Sequence, residues 1–319
     1  MQLGPTPTGC RETTALPSDR LVADFMAADW ATVGIRFALY ADLMLLFGLP
    51  LFALYAPGGR ESVGARKHVS SALALAGIVL SLLSIAAMTA SMAGVPLAQV
   101  DPGAVRMMIT DTPMGQAWMF RLVSLGALLA LAFFRPRSMV GAAILGGIAL
   151  ASLAWTGHGA AGEGNAGWVE LVADVAHLLA AAAWIGALVG LAAMVFSKGD
   201  AETAYAALDQ FSRTGGIIVA IVVTSGLVNS AYLVGVHHIV DLPATAYGQL
   251  LIVKLVLFAG MLGLAALNRF RLTPALEASS DAPASFAALR YSLALEGGTS
   301  IAILGLVAWL GTLEPPMSM

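Results

Sequence analysis

The run Trp168-Val-Glu170-Leu-Val-Ala-Asp174-Val-Ala-His177 sets two carboxylates and an imidazole in an otherwise apolar stretch. At 100° per residue on a helix, Glu170, Asp174 and His177 fall within about 60° of arc, and Ala181, Trp184 and Leu188 continue that face. The three polar groups form a stripe that descends about 10 Å at 1.5 Å per residue. Such a ladder can pass a cation or a proton inward, with His177 as the deepest ligand before an apolar plug at Trp184. The structural alternative is that Asp174 accepts a hydrogen bond from His177, or pairs with Arg36, Arg121 or Lys254 to lock helices together. Glu170, nearest the interface, is expected to be satisfied by solvent.

Other donor side chains cluster toward the same end. His158, in Trp155-Thr-Gly-His158-Gly, stands on a short loop before this stretch and can swing over the outer end of the stripe, giving a two-histidine, carboxylate-flanked metal site. Methionine adds soft donors: of 14 in the chain, six lie between 88 and 119, and Met88 and Met92 share one helix face. Thioethers select Cu(I), whereas imidazole and carboxylate also suit Cu(II). His237 and His238, followed by Asp241, read as a solvated loop, and His68 among Arg66 and Lys67 is no ligand. Charges at membrane depth are costly, about 2.5 to 3.5 kcal/mol each on insertion scales, so Arg36, Asp42, Arg121, Lys254 and Glu296 each need a partner, a cavity or a task. For Lys254 the expected partner is Asp174 or Asp42, with Glu296 nearer the opposite end of its span.

The elements that position these groups follow from composition. The 319 residues are 59% apolar and only 11% charged, with mean hydropathy +0.84 and net charge −3. A soluble domain carries about 25% charged residues. This is an all-α polytopic membrane protein without a basic face for nucleic acid, and lipid is its surroundings. Its single Cys excludes a disulfide framework, a paired-Cys metal module and a four-thiolate iron-sulfur cluster. No GxxxxGK[ST] loop is present, so ATP-driven transport by this chain is not expected.

Eight stretches long enough to cross about 30 Å of hydrocarbon run at approximately 30–56, 70–93, 115–134, 139–157, 168–196, 213–235, 248–270 and 290–312. Arg60, Arg66, Lys67, Arg135, Arg137, Lys198, Arg213, Arg269, Arg271 and Arg290 fall in loops after odd-numbered spans, and only Arg106 falls between the others. The positive-inside rule then sets both termini in the periplasm, although Arg11 and Arg20 argue mildly against it. Residues 1–29 lack a signal-peptide core and read as a flexible extension, with Met26 an alternative start by position alone. The eight-helix membrane domain covers 30–316. Segment 200–211 reads as a short amphipathic helix along the inner surface. Gly186 and Gly190 form a GxxxG pair opposite the polar stripe, which makes the fifth span a central, tightly packed one.

Several segments resemble the copper resistance protein D (CopD) family of bacterial inner-membrane proteins. They are Ala176-His177-Leu-Leu-Ala-Ala-Ala-Ala-Trp184-Ile-Gly186, Tyr247-Gly248-Gln-Leu-Leu-Ile-Val-Lys254, Leu267-Asn268-Arg269-Phe-Arg271-Leu-Thr-Pro274, the Trp309-Leu-Gly-Thr-Leu-Glu-Pro-Pro ending and the Gly157-His158 pair, most specifically across 168–316. The resemblance implies copper ion, as Cu(I) or Cu(II), handled at the inner membrane beside a periplasmic copper-binding partner of CopC type. It implies import toward the cytoplasm for copper homeostasis and resistance, with His158, His177, Trp184, Lys254 and Asn268 at motif positions. The expected function is copper transport, not enzymatic catalysis. Two alternatives remain: a haem or quinone redox protein using His158 and His177 as axial ligands, and a membrane receptor that docks a copper chaperone without transport.

Overall fold

In hydrocarbon every backbone N–H and C=O must be satisfied within the protein, so long runs of Ala, Leu, Val and Ile become helices. The computed structural model describes residues 29–60, 68–135, 137–156, 164–196, 201–234, 242–273 and 282–313, and the description below is of these. The candidate ligand His158, the loop histidines His237 and His238 and the extension 1–28 lie outside them. Among the described residues there is no strand.

The helices are α1 (Trp30–Tyr55), α2 (Val69–Ala93), α3 (Pro102–Asp111), α4 (Pro113–Phe134), α5 (Met139–Ala151), α6 (Gly164–Phe196), α7 (Ala201–Val234), α8 (Ala246–Leu267) and α9 (Ala282–Leu310). A 3-10 turn, Ser152–Thr156, extends α5, and a π turn, Asn268–Leu272, extends α8. All but α3 match the eight expected spans. Their starts are written in the sequence. Asp29 accepts from the Ala31 and Thr32 amides to cap α1. Thr112 caps α4 ahead of Pro113, and Thr245 caps α8.

Two differences from the sequence reading have physical reasons. Segment 200–211 is not a separate surface helix but the first turns of a 34-residue α7. Neither Pro nor a helix-ending Gly interrupts it before Gly215. Its Ala204, Ala207 and Leu208 are buried against the α6 end of the core, so packing continues the helix beyond the bilayer. The helix α3 was not foreseen because it is only 10 residues long and weakly apolar; Asp101, accepting from Gly103 and Ala104, and Pro102 at its first turn nucleate it.

Successive spans alternate in direction, which defines a Trp30 face and a Tyr55 face. At the centre α1 packs on α2, α5, α6 and α9, while α6 packs on α1, α7 and α9. The α1–α6 crossing depends on glycine. A methyl group on Gly48 would come within 2.8 Å of Gly186 Cα and closer still to the Ala182 carbonyl, while Phe52 fills the space beside Gly190. The GxxxG pair therefore packs, as expected, on the back of α6. Pro50 inside α1 cannot donate to the Leu46 carbonyl, and the absence of a side chain at Gly146 lets α5 approach that freed oxygen. Outward faces, such as Ile252, Val253, Leu255 and Val256 of α8, are apolar and exposed, as a lipid boundary requires.

Candidate functional site

The polar groups of the Trp30-face half converge on α6. His177 points at α7: its Nδ1 lies 3.2 Å from the Val222 carbonyl oxygen and 3.1 Å from Ser225 Oγ, and its ring rests against Gly226. The Ser225 hydroxyl donates to the Ile221 carbonyl at 2.5 Å, so toward His177 its oxygen acts as an acceptor. Two acceptors on one ring nitrogen favour the proton on Nδ1, which puts the ring's lone pair on Nε2. One turn toward the Trp30 face, Asp174 Oδ1 accepts from Asn229 Nδ2 at 3.3 Å, while the buried Asn229 Oδ1 has no partner.

Lys254 of α8 acts electrostatically on both Asp174 and His177, at longer range than a direct ion pair. Of its expected partners, Asp174 is the one the fold brings near. On the other side of α6, the Tyr40 phenol of α1 lies within electrostatic reach of Arg36, Asp174 and Arg121. Arg121 is 1% exposed, and its Nε donates to Ser152 Oγ at 2.8 Å in the turn that ends α5. Among the described residues Arg36 and Arg121 do not form the direct ion pair with Asp174 weighed from sequence; both stand near Tyr40 instead.

Other expectations are redistributed. Glu170 is only 9% exposed, against the expectation that water satisfies it. Asp42 does not join the Lys254 group: its carboxylate lies against Gly77 of α2, where Leu125 of α4 also packs. Met88 is half-buried and Met92 exposed on α2, which packs on α1, α3 and α4. Among the described residues, no three of His, Cys, Asp and Glu stand together as a metal-holding group.

The Trp184 indole is buried and stacks edge-on against Phe211 of α7 at 5.3 Å, below His177 on the same face. Beneath it a cavity of 280 Å³ opens in the Tyr55-face half between α6, α7, α8 and α9. Glu296, 1% exposed, lines it and accepts a hydrogen bond from Asn268 Nδ2 in the π turn. Sequence reading missed Tyr40, Ser152, Ser225 and Asn229. The signal for the α7 pair was available: Ser225 and Asn229 are four apart in an apolar span, the spacing that faces a neighbouring helix.

A multi-pass helical membrane protein with charged and hydrogen-bonded groups gathered around one central helix is the class that this fold and site define. Residues 26–168 match the family model of the copper resistance protein D-like N-terminal domain, and residues 205–310 match that of copper resistance protein D. The chain is 41% identical to Copper resistance protein D of Pseudomonas syringae pv. tomato, across 91% of this chain and 98% of that protein. It is 29% identical to Inner membrane protein YebZ of Escherichia coli strain K12, across 91% and 99%. It is also 30% identical to Copper transport protein CutJ of Bacillus subtilis strain 168, across 74% of this chain and 46% of that protein. No solved structure matches. The chain belongs to the copper resistance protein D family, a multi-pass inner-membrane protein with a copper-related function.

Proposed function

We propose that the chain carries copper across the inner membrane from the Trp30 face, taken as periplasmic, toward the Tyr55 face. The observation that carries this reading is His177: its Nδ1 is occupied by Val222 and Ser225, which puts the lone pair on Nε2, and Asp174 stands one turn away. A metal-ligating imidazole is held in this way, with the second nitrogen fixing tautomer and ring orientation. In the proposed ligand set, His158 and Glu170 join Asp174 and His177, and Met88 and Met92 offer thioethers to Cu(I) near the same face as the start of α6. A periplasmic copper-binding protein of CopC type is the proposed donor. Arg36 and Arg121 place positive charge near the carboxylates, and the Trp184–Phe211 pair separates this site from the cavity below.

The test is copper flux into proteoliposomes, with metal analysis and an optical spectrum of the same purified protein. Wild type is expected to move copper and His177→Ala to fall to the rate of empty vesicles while remaining folded and membrane-inserted. A haem absorption band would favour a redox protein. Chaperone binding without flux would make the chain a receptor.

A further inference from the structure

Glu296 has the smallest exposed fraction of any carboxylate among the described residues, and its surroundings differ from those of the acids near His177. Asn268 donates to its Oε1, and among the described residues it forms no ion pair. The charged and titratable groups on the elements around it are few. Arg269 of the π turn lies at the exposed rim of the cavity, beside Gly216 of α7 and against the Phe270 ring. Arg290, on α9 itself, donates to the Val195 carbonyl and rests on the Phe196 ring. From α6 and α7 the cavity receives Trp184 and Ser212, and from α1 the Tyr55 hydroxyl is buried in the adjoining apolar cluster without a partner.

A carboxylate so placed is unstable as a bare anion and must take up a cation. The donor set decides which one. The cavity wall offers Glu296, the unpartnered Oδ1 of Asn268, and the hydroxyls of Ser212 and Thr273, with no imidazole, thiolate or thioether. Copper in either oxidation state is poorly served by one carboxylate and neutral oxygens in a mostly apolar chamber. A proton needs only the carboxylate. Asp42, also buried and with its Oδ2 unpartnered, lies against Gly77 and is not on this cavity's wall, whereas the cavity around Glu296 reaches the exposed Arg269 and Phe270.

We infer that Glu296, held by Asn268 at the floor of the Tyr55-face cavity, is a proton-exchange site that couples copper movement to the proton gradient. It takes a proton from cavity water to become the neutral acid and returns it to the same water. The coupling rests on the transport reading above; the site itself does not.

The site is tested on the full-length wild-type protein with dicyclohexylcarbodiimide, an apolar reagent that reacts with protonated carboxyl groups within membranes, followed by peptide mass spectrometry. The expected result is an adduct on Glu296 whose yield falls as pH rises; its absence at every pH overturns the proposal. Coupling is tested in proteoliposomes under an imposed pH gradient. Wild-type copper flux is expected to change at least several-fold with the gradient and Glu296→Gln to lose that response. Wild-type flux that ignores the gradient overturns the coupling. If wild type moves no copper at all, the transport reading fails, and the carbodiimide result, which needs no copper, still decides the site.

Discussion

His177 shows how a side chain becomes available for metal by being occupied elsewhere. Its Nδ1 is committed to α7, so the ring cannot turn freely and Nε2 is presented in one orientation. Ser225 is a positioning residue in this arrangement, since its own proton goes to Ile221. Ser225→Ala is expected to weaken copper affinity by about 10- to 100-fold, the usual effect of removing a ligand's hydrogen-bond partner. Equilibrium copper titration checks this, and an unchanged circular dichroism spectrum separates it from a folding defect. The stripe on α6 was legible from spacing because three polar residues in an apolar run share one helical face. Its partners were not, since Ser225 and Asn229 are neutral residues that a hydropathy profile barely registers. Tyr40 was hidden further, because a tyrosine in an apolar helix reads as core.

At the scale of elements, the α1–α6 crossing holds the polar cluster at its working distance. Gly48 and Gly186 meet backbone to backbone, which leaves no flexible side chain able to yield. Gly186→Ala is expected to cost about 1 to 3 kcal/mol, as overpacking does. Gly263→Ala on α8, where a methyl group meets nothing within 4 Å, is expected to be neutral or stabilising by about 1 kcal/mol. Thermal unfolding of both variants in one detergent makes the comparison. Span positions were readable because a bilayer demands a minimum apolar length. The true start of α7 was not, because Ala204, Ala207 and Leu208 are drawn into the helix by contacts with a core distant in sequence.

For the whole molecule, the direction of transport depends on which face is periplasmic. In a Cys10→Ser background, Gln99→Cys on the Trp30 face is expected to react with a membrane-impermeant maleimide in intact cells, and Arg137→Cys only after lysis. The reverse pattern would invert the proposed path. A different consequence follows from the Arg121–Ser152 hydrogen bond, and it concerns the order in which the chain enters the bilayer during synthesis. Arg121 lies within α4, yet the hydroxyl that receives its Nε is made 31 residues later, at the end of α5. A chain whose synthesis stops after α4 exposes that guanidinium to lipid, at a cost of about 2.5 to 3.5 kcal/mol at the helix centre. The two helices are therefore expected to leave the translocon as a pair. A nascent chain truncated after Phe134 should integrate poorly, and one extended through Thr156 should integrate fully, a difference that Ser152→Ala reduces.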